Sequence, residues 1–444
     1  MLWHLTKFYL CFVIRFFFKR IQIKNAKSIK VNGPVIIAMN HPNAFMDPIA
    51  FTTMVFPPRV RYLARGDTFK KGIISAILES FGIIPIFRIQ DGGKEGLKKN
   101  DETYDRVNKL LRRNKKIIIF AEGLCIQERR LRPLKKGVPR MVFGAMDAYN
   151  LKDLTVVPVG VNYSNPSQFR GNLFFNVGEP IRISEYMTAY NEAPAKTMNQ
   201  FLADLTPKMK ELIVHINHPH NETLIAHLEE IYKSDYFTQH QLNTTNLEDD
   251  FKFSTHIVTW VNKLEEDAPE KLKLLSAKTE NYFNQLKQYQ LKDWLIDPLK
   301  QSKITYLNVS LRFLVIILSF PIYIRGLLGS YIPYFLTAYI TNKKVKIIEF
   351  KASFLMGIGA VMFLLFGLIQ FFVAKALAPN AWWALLVLVI TVLTGMYCLW
   401  LSPFRKKTFG ILKALQLKSK QPQVFSNLQH LREDIINDFK NLTL

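Results

Sequence analysis

The pattern of apolar and polar positions changes character several times along the chain, and its most regular part lies between residues 30 and about 185. There, short apolar runs bounded by turn residues alternate with amphipathic stretches. Such runs predict buried strands, and the amphipathic stretches predict helices that cover them. The predicted strands are 34–39, 59–64, 83–88, 116–121, 155–162 and 173–177, and the predicted helices lie near 44–55, 70–80, 101–114 and 136–149. This alternation predicts an α/β fold, a mixed sheet flanked by helices, over residues 30–190.

The segments on either side of this region are patterned as helices. Residues 1–29 begin with an apolar, aromatic stretch that Lys7 and Arg15 interrupt, so it is too short and too charged to span a bilayer. We predict an interfacial membrane helix there, with a buried core helix as the alternative. Residues 191–303 carry narrow apolar stripes and predict a helical region, either a linker module or a lid over the preceding region.

The last third of the chain is apolar enough to enter a membrane. Residues 353–373 and 381–401 are each about 20 residues long and essentially uncharged, which predicts two transmembrane helices. The apolar stretch 308–340 is interrupted by Arg325 and by several prolines and glycines, and we predict a re-entrant or interfacial hairpin there; a single tilted span is the alternative. These elements form a predicted membrane domain, 304–410, and a cytoplasmic tail, 411–444, follows it.

Charge and cysteine content narrow the range of partners. A net charge of +24 suits either nucleic acid or an anionic membrane, and the apolar C-terminal third favours the membrane. We therefore expect membrane lipids and no nucleic acid as partners. The histidines between residues 215 and 220 are interrupted by Pro219, and no metal is expected. The cysteines lack disulfide or metal-site spacing, which indicates a reducing compartment; they are Cys11, Cys125 and Cys398.

One predicted strand leads directly into residues suited to proton transfer. Val35 to Met39 is followed by Asn40-His41-Pro42-Asn43, and Asp47 lies in the next segment. A histidine at a strand exit, oriented by an aspartate through its second ring nitrogen, can act as the general base for a hydroxyl. The alternative is a turn histidine beside an unrelated aspartate, and on these two residues alone it is the simpler interpretation.

Four further sequence blocks favour the first interpretation. They are F-G-I-I-P-I-F-R at 81–88, I-F-A-E-G at 119–123, R-L-R-P-L-K-K-G at 130–137 and V-V-P-V-G-V-N-Y at 156–163. In this order and spacing, and together with His41 and Asp47, they resemble the phospholipid/glycerol acyltransferase family. That family includes the 1-acylglycerol-3-phosphate and the glycerol-3-phosphate acyltransferases. The resemblance covers about residues 30–185.

The resemblance implies roles for eight residues. His41 would take the proton of an acceptor hydroxyl, and Asp47 would orient its ring, as in a triad without the serine. Because the chain contains no G-x-S-x-G motif, the hydroxyl is expected to attack the thioester directly. Arg88 would hold an acceptor phosphate, and the basic loop 129–136 would hold phosphate, face lipid headgroups or simply be solvated. The implied substrate-binding residues are Asn40, Arg88, Glu122, Gly123, Arg130 and Lys136.

Two positions depart from the family pattern. Five residues separate His41 from Asp47 where the family usually has four, so the pair can meet only if the turn at Pro42 is not helical. Leu124 and Cys125 follow Gly123 where the family commonly has threonine and arginine. Candidates to replace that arginine are Arg129, Arg130, Lys135 and Lys136.

The resemblance implies a membrane-bound acyltransferase. We expect it to move a fatty acyl group from a coenzyme A or acyl carrier protein thioester to lysophosphatidic acid, with glycerol 3-phosphate or another lysolipid as the alternative acceptor. No cofactor is expected, and the catalytic domain should be cytoplasmic, at the inner membrane if the source is bacterial. The alternative of another class is a non-catalytic lipid-binding protein on a degenerate acyltransferase fold.

Overall fold

The computed structural model describes residues 2–55, 60–66, 82–87, 89–149, 151, 153–378 and 380–442. The chain forms two compact units. The first comprises Met1–His215, Asn246–Phe251 and Val345–Met356, and the second comprises Ile216–Thr245, Lys252–Lys344 and Gly357–Leu444.

The first unit is built on one mixed sheet of eight strands. The strands are β1 (Arg20–Lys24), β2 (Val35–Met39), β3 (Val60–Arg65), β4 (Ile83–Ile86), β5 (Lys116–Phe120), β6 (Thr155–Tyr163), β7 (Asn172–Val177) and β8 (Ile181–Arg182). Their order is β1-β7-β6-β2-β5-β3-β4, and β8 pairs with β6. β6 is antiparallel to β7 and β8, whereas the other pairs are parallel. The structure therefore confirms the predicted fold, a mixed sheet flanked by helices.

All six predicted strands are present with small shifts at their ends, and β1 and β8 were not predicted. β1 pairs in parallel with β7 and lies within the segment 1–29, before the domain boundary that the sequence suggests. Its sequence, R-I-Q-I-K, alternates polar and apolar side chains, which is the strand pattern of a half-buried edge. The sheet thus begins at Arg20.

β2 lies at the centre of the sheet, between β5 and β6. All five of its side chains are buried, as the uninterrupted apolar run predicts for a strand covered on both faces. Ile36 and Ala38 belong to the core on one face, and Val35, Ile37 and Met39 belong to the core on the other. This burial fixes the position of His41, two residues after the strand ends.

Six helices accompany the sheet among the described residues. They are α1 (Leu2–Phe17), α2 (Met46–Met54), α3 (Ile89–Arg112), α4 (Gly137–Tyr149), α5 (Met187–Glu192) and α6 (Pro194–Lys210). The helix expected near 70–80 lies outside the described residues. In α1, Ile14 and Phe17 are buried in the core, whereas Phe8 and Phe12 are exposed. The helix thus combines a core-packed end with an exposed aromatic face.

The second unit is helical, and α8 and α12 begin in the first unit and continue into it. The helices are α7 (Glu222–Gln239), α8 (Leu247–Asp267), α9 (Pro269–Gln288), α10 (Tyr306–Leu318), α11 (Phe320–Lys344), α12 (Ile348–Leu377), α13 (Ala381–Lys420) and α14 (Pro422–Asn441). Two of them, α12 and α13, are long and apolar enough to cross a membrane. They contain the predicted spans 353–373 and 381–401.

α10 and α11 are bent by 54° at Ser319. The sequence placed the break nearer the middle of 308–340, but α11 continues through Gly326, Gly329 and Pro333. These glycines instead allow close packing against α13, since a Cβ on Gly326 would lie 2.3 Å from the carbonyl oxygen of Thr394. How often 308–340 crosses the membrane stays a prediction.

α11, α12 and α13 share a polar network within the second unit. Arg325 on α11 donates to the hydroxyl of Thr391 on α13 at 3.0 Å, and that hydroxyl donates to Gln370 of α12 at 3.0 Å. Gln370 in turn donates to the carbonyl of Gly329 at 2.9 Å. Arg325 is therefore hydrogen-bonded between helices, which reduces the cost of a cation among apolar segments.

The C-terminal segment is folded and helical to Asn441. Arg432 on α14 is buried, and its Nε donates to Asp293 at 2.9 Å while an Nη donates to the carbonyl of Ile231 at 2.7 Å. Tyr282 also donates to Asp293, at 2.9 Å. These bonds join α14 to the helical region around α7 and α9.

Candidate active site

The sequence motifs converge at one edge of the sheet, where β2, β5 and β6 end. Because β2 is parallel to both neighbours, the carboxyl ends of the three strands lie side by side. His41 follows β2, Glu122 follows β5, and Tyr163 is the last residue of β6. Sequence blocks that are more than 100 residues apart thus contribute to one site.

His41 and Asp47 are in direct contact. His41 Nδ1 lies 2.8 Å from Asp47 Oδ2, and the carboxylate is fully buried. Residues 40–45 form turns, and α2 begins only at Met46, so the five-residue spacing closes through a non-helical segment, as required. The aspartate therefore fixes which ring nitrogen faces it, and Nε2 points away from it.

Two further groups hold the Asp47 carboxylate in place. The backbone N–H of Asn43 donates to Oδ2 at 2.8 Å, and the hydroxyl of Tyr163 donates to Oδ1 at 2.6 Å. Burial, and next the charge of Asp47, raises the pKa of Tyr163 well above its usual range, so the phenol stays a donor. Tyr163 is the last residue of the V-V-P-V-G-V-N-Y block, and no sequence pattern predicts its contact with Asp47.

The ring of His41 is fixed from the side as well. It stacks on Phe120, with ring centroids 3.6 Å apart and an interplanar angle of 14°. Its side chain keeps 15% of its surface exposed, and among the described residues none is hydrogen-bonded to Nε2. An imidazole that a carboxylate orients at Nδ1, with no described partner at Nε2, has the arrangement of a general base.

Asn40 and Glu122 bind backbone groups around the site. The buried Asn40 side chain donates to the carbonyl of Val161 at 3.1 Å and accepts its N–H at 2.7 Å. Glu122 accepts the N–H of His41 at 3.2 Å and that of Arg132 at 2.9 Å. Burial raises the pKa of Glu122, whereas these two N–H groups act in the opposite direction. Asn40 therefore joins the end of β2 to β6. Glu122 joins the segment after β5 to His41 and to the basic loop.

Gly123 and Cys125 occupy the turn after Glu122. Gly123 has φ +65°, a conformation that favours glycine, and a Cβ there would lie 3.2 Å from the Lys135 side chain. Cys125, at the position where the family commonly has arginine, accepts the N–H of Ala44 through its sulfur at 3.0 Å. Burial raises the pKa of the Cys125 thiol, which keeps it neutral. The cysteine therefore supports the loop after His41 and carries no charge for a phosphate.

The beginning of α12 packs beside the same loop, a contact that no sequence pattern predicts. The N–H of Met46 donates to Ser353 Oγ at 3.0 Å in a buried position. Phe45 and Phe350 meet edge to face at 5.8 Å. The first turns of an apolar helix thus support the start of α2, which carries Asp47.

The basic loop is arranged around Glu128. Arg130 Nε donates to one of its oxygens at 2.7 Å, and Arg132 Nη2 donates to the other at 2.6 Å. Nε of Arg132 is buried and, within the described part of the chain, lacks a hydrogen-bond partner. Lys136 is exposed, and Arg88 lies outside the described residues. Arg132 is therefore a further candidate for binding phosphate, in addition to those expected from the sequence.

The histidines between 215 and 220 have separate environments. His215 accepts the N–H of Leu131 at 2.9 Å, and burial, followed by the charges of Lys210 and Arg130, lowers its pKa to about 4. The neutral ring thus supports the basic loop. His220 pairs with Glu265 at 3.2 Å. Across the described ranges, no group of three His, Cys, Asp or Glu side chains is placed to hold a metal ion.

The sequence matches known acyltransferases in this region. A family model described as acyltransferase matches residues 20–162. Glycerol-3-phosphate O-acyltransferase 1 of Saccharomyces cerevisiae is 37% identical over 91 residues, which are 20% of this chain and 12% of that protein. Glycerol-3-phosphate O-acyltransferase 2 of the same yeast is 31% identical over 128 residues, 29% of this chain and 17% of that protein. The chain thus matches less than a fifth of the length of either relative.

One solved structure is also similar, the 1-acyl-sn-glycerophosphate acyltransferase of Thermotoga maritima. The match has a TM-score of 0.33 and 12% identity, and it covers 46% of this chain and 78% of that chain.

Proposed function

We propose that the chain is a membrane enzyme of the phospholipid/glycerol acyltransferase family and that it transfers a fatty acyl group to a glycerol phosphate acceptor. The match of residues 20–162 to a family model described as acyltransferase supports this proposal. The observation that carries the proposal is the His41–Asp47 pair at the sheet edge, in which 15% of the His41 side chain is exposed and no described residue is hydrogen-bonded to Nε2. Two long apolar helices, α12 and α13, support membrane association.

The proposed reaction is direct acyl transfer. Nε2 of His41 accepts the proton of the acceptor hydroxyl while that oxygen forms a bond to the thioester carbonyl carbon. The carbon–sulfur bond then breaks, and the imidazolium returns the proton to the leaving thiolate. Asp47, held by Asn43 and Tyr163, stabilises the imidazolium, as a triad aspartate does. The reaction consumes no cofactor, and its donor is a coenzyme A or acyl carrier protein thioester.

An acceptor with a phosphate group suits the basic loop. Arg130, Lys136 and Arg88 are the candidates implied by the family resemblance, and Arg132 joins them because its buried Nε lacks a partner among the described residues. Guanidinium groups bind phosphate oxygens in a fixed geometry, which would position the hydroxyl for attack.

The acceptor is either lysophosphatidic acid, which the sequence led us to expect, or glycerol 3-phosphate. The names of the two yeast relatives support glycerol 3-phosphate. The five-residue spacing between His41 and Asp47 also resembles some glycerol-3-phosphate acyltransferases. Purified protein offered each acceptor with the same labelled thioester decides between them, by whether labelled lysophosphatidic or phosphatidic acid forms.

The catalytic role of His41 is tested by His41→Ala. Loss of a positioned general base should reduce the rate by about 10²–10⁴-fold. His218→Ala is the matched control, because His218 also lies between asparagine and proline but outside the proposed site. The measurement is incorporation of labelled acyl chain into lipid, with membrane insertion checked for both variants.

Unchanged turnover by His41→Ala would contradict the mechanism. Absence of acyl transfer by the wild-type protein with every acceptor and donor would instead favour the non-catalytic lipid-binding alternative.

A further inference from the structure

A basic pocket lies in the second unit, where the apolar part of α13 ends. It has a volume of about 600 Å³ and is lined by residues of α11, α13 and the segment around Asp293–Leu295. None of the described residues that line it is acidic. Its cationic lining consists of Lys292, Arg405, Lys406, Lys407 and Lys413. The family motifs and the proposed acyl transfer use none of these residues.

The level of the pocket in a bilayer follows from the length of the apolar part of α13. Its apolar stretch, 381–401, rises about 31 Å at about 1.5 Å per residue, which matches the hydrocarbon core of a bilayer. Arg405 lies one turn beyond that stretch, so its charge falls at the level of the lipid headgroups. Residues 402–420 contain basic side chains and no acidic one. The pocket therefore combines a headgroup position with a positive charge.

Aromatic side chains and close packing shape the walls. The Arg405 guanidinium lies over the ring of Tyr323 at 5.4 Å from its centroid, and Trp294 also lines the pocket. A Cβ on Gly410 would lie 3.4 Å from Leu295, so the Asp293–Leu295 turn is packed closely against α13. Tyrosine and tryptophan are the aromatic residues typical of the membrane interface.

A second cation at the same depth, Arg312, donates from Nε to Asn308 at 2.8 Å but keeps another donor atom without a partner among the described residues. The guanidinium of Arg312 on α10 lies over Phe404, 4.8 Å from its centroid, and Phe404 directly precedes Arg405. Arg312 Nη1 is buried and has no hydrogen-bond partner within the described ranges. Buried charged donors are normally satisfied, and phosphate oxygens are strong acceptors for guanidinium. This observation points to an anion independently of the pocket lining.

We propose that this pocket binds the phosphate of an anionic membrane phospholipid, separately from the site at His41. The acyl chains of the lipid lie along exposed apolar side chains of α11 and α13, which include Ile322 and Trp400. A soluble phosphate has the charge but lacks the chains, so these exposed apolar surfaces favour the lipid as the source.

The test uses the full chain in mild detergent and measures binding of phosphatidylglycerol, with phosphatidylcholine of the same chains as the neutral reference. Phosphatidylglycerol avoids the acceptors and products proposed for the catalytic site. The variant Lys406→Gln with Lys407→Gln removes two exposed pocket charges. The matched control, Lys418→Gln with Lys420→Gln, removes two exposed charges from the same helix outside the pocket.

We expect the wild-type protein to prefer phosphatidylglycerol and the Lys406/Lys407 variant to bind it at least about 10-fold more weakly. The control should change by less than about 2-fold, and all three proteins should have the same Tm without lipid. Equal losses in both variants would overturn the proposal in favour of general charge attraction. No preference over phosphatidylcholine, or equal competition by inorganic phosphate, would overturn it as well.

Discussion

At the scale of single residues, Arg132 differs from its neighbours in the basic loop by one buried atom. Arg130 and Arg132 both bind Glu128, but Nε of Arg132 has no hydrogen-bond partner among the described residues. If this guanidinium holds the acceptor phosphate, Arg132→Lys should raise the acceptor KM by about 10-fold or more and leave the donor KM nearly unchanged. Steady-state kinetics with each substrate varied in turn provides the measurement.

Arg130→Lys is the matched control, since it alters the same ion-pair cluster. An equal rise in the acceptor KM and the donor KM for Arg132→Lys would indicate a folding defect. If Arg130→Lys raised the acceptor KM as much as Arg132→Lys does, Arg130 and Arg132 would bind the phosphate together.

His215 predicts a pH dependence of stability. Its pKa falls from the ordinary 6.5 to about 4 because the ring is buried, then because Lys210 and Arg130 are near. Between these values the unfolded chain binds a proton that the folded chain does not, so stability decreases as pH falls from 6.5 towards 4. The contribution is fully present above pH 6.5. The variant His215→Gln should lose less stability over this pH range than the wild-type protein. Thermal unfolding of both proteins at pH 7.5 and pH 5 measures the loss. Equal losses in the two proteins would refute the assignment of this pH dependence to His215.

At the scale of secondary structure, the contact between α11 and α13 depends on glycine. A Cβ on Gly326 would lie 2.3 Å from Thr394 O and 2.6 Å from Cys398 Sγ, so Gly326→Ala must separate the helices. Overpacking of this kind typically costs about 1–3 kcal/mol. Gly357→Ala on α12 is the control, because a Cβ there meets nothing within 4 Å and alanine favours the helix. Thermal unfolding in detergent should show a lower Tm for Gly326→Ala only; a similar Tm for both variants would contradict close packing.

At the scale of the whole molecule, positive charge predicts the topology. Residues 374–380, between the predicted spans 353–373 and 381–401, contain Lys375 as their single charged residue, whereas several basic residues flank the two spans on their outer sides. We therefore predict that both outer flanks are cytoplasmic, together with the catalytic domain, and that 308–340 does not make a single crossing. The flanking residues are Lys343, Lys344, Lys346 and Lys351 before the predicted span 353–373, and Arg405, Lys406 and Lys407 after the predicted span 381–401.

Two contacts within the second unit favour this prediction. The carbonyl of Tyr323, near the start of α11, accepts from Cys398, close to the basic end of the apolar stretch. Thr337, near the other end of α11, packs on Gly359. Gly359 lies six residues after the start of the predicted span 353–373, close to the basic residues that precede this span. A single crossing would place these two ends at opposite boundaries.

Single-cysteine labelling at Ser302 and Asn342 tests this topology, since both residues are exposed. The background replaces the three native cysteines, with serine at Cys125 so that the group bonded to Ala44 remains an acceptor. Accessibility from the same side is expected at both positions, and accessibility from opposite sides would refute the prediction.

The sequence by itself determined the elements whose signal is local. Val35–Met39 is an uninterrupted apolar run and forms the central strand, and the spans expected at 353–373 and 381–401 lie within α12 and α13. The spacing of apolar residues and the length of an apolar run, over some five to twenty residues, suffice to assign such elements. They suffice because burial of one or both faces of an element requires that spacing and that length. The order of the blocks likewise indicated the acyltransferase family.

Only the tertiary structure decided which distant groups meet at the site. Asp47 reaches His41 because a non-helical turn closes the longer spacing, and Tyr163 reaches Asp47 because β6 lies beside β2 in a particular register. Ser353 bonds Met46 although some 300 residues separate them. The sulfur of Cys125 accepts the backbone N–H of Ala44, at the position where the family commonly has arginine. Local patterns cannot specify such pairs, because strand register and helix packing are set by the fit of the whole core.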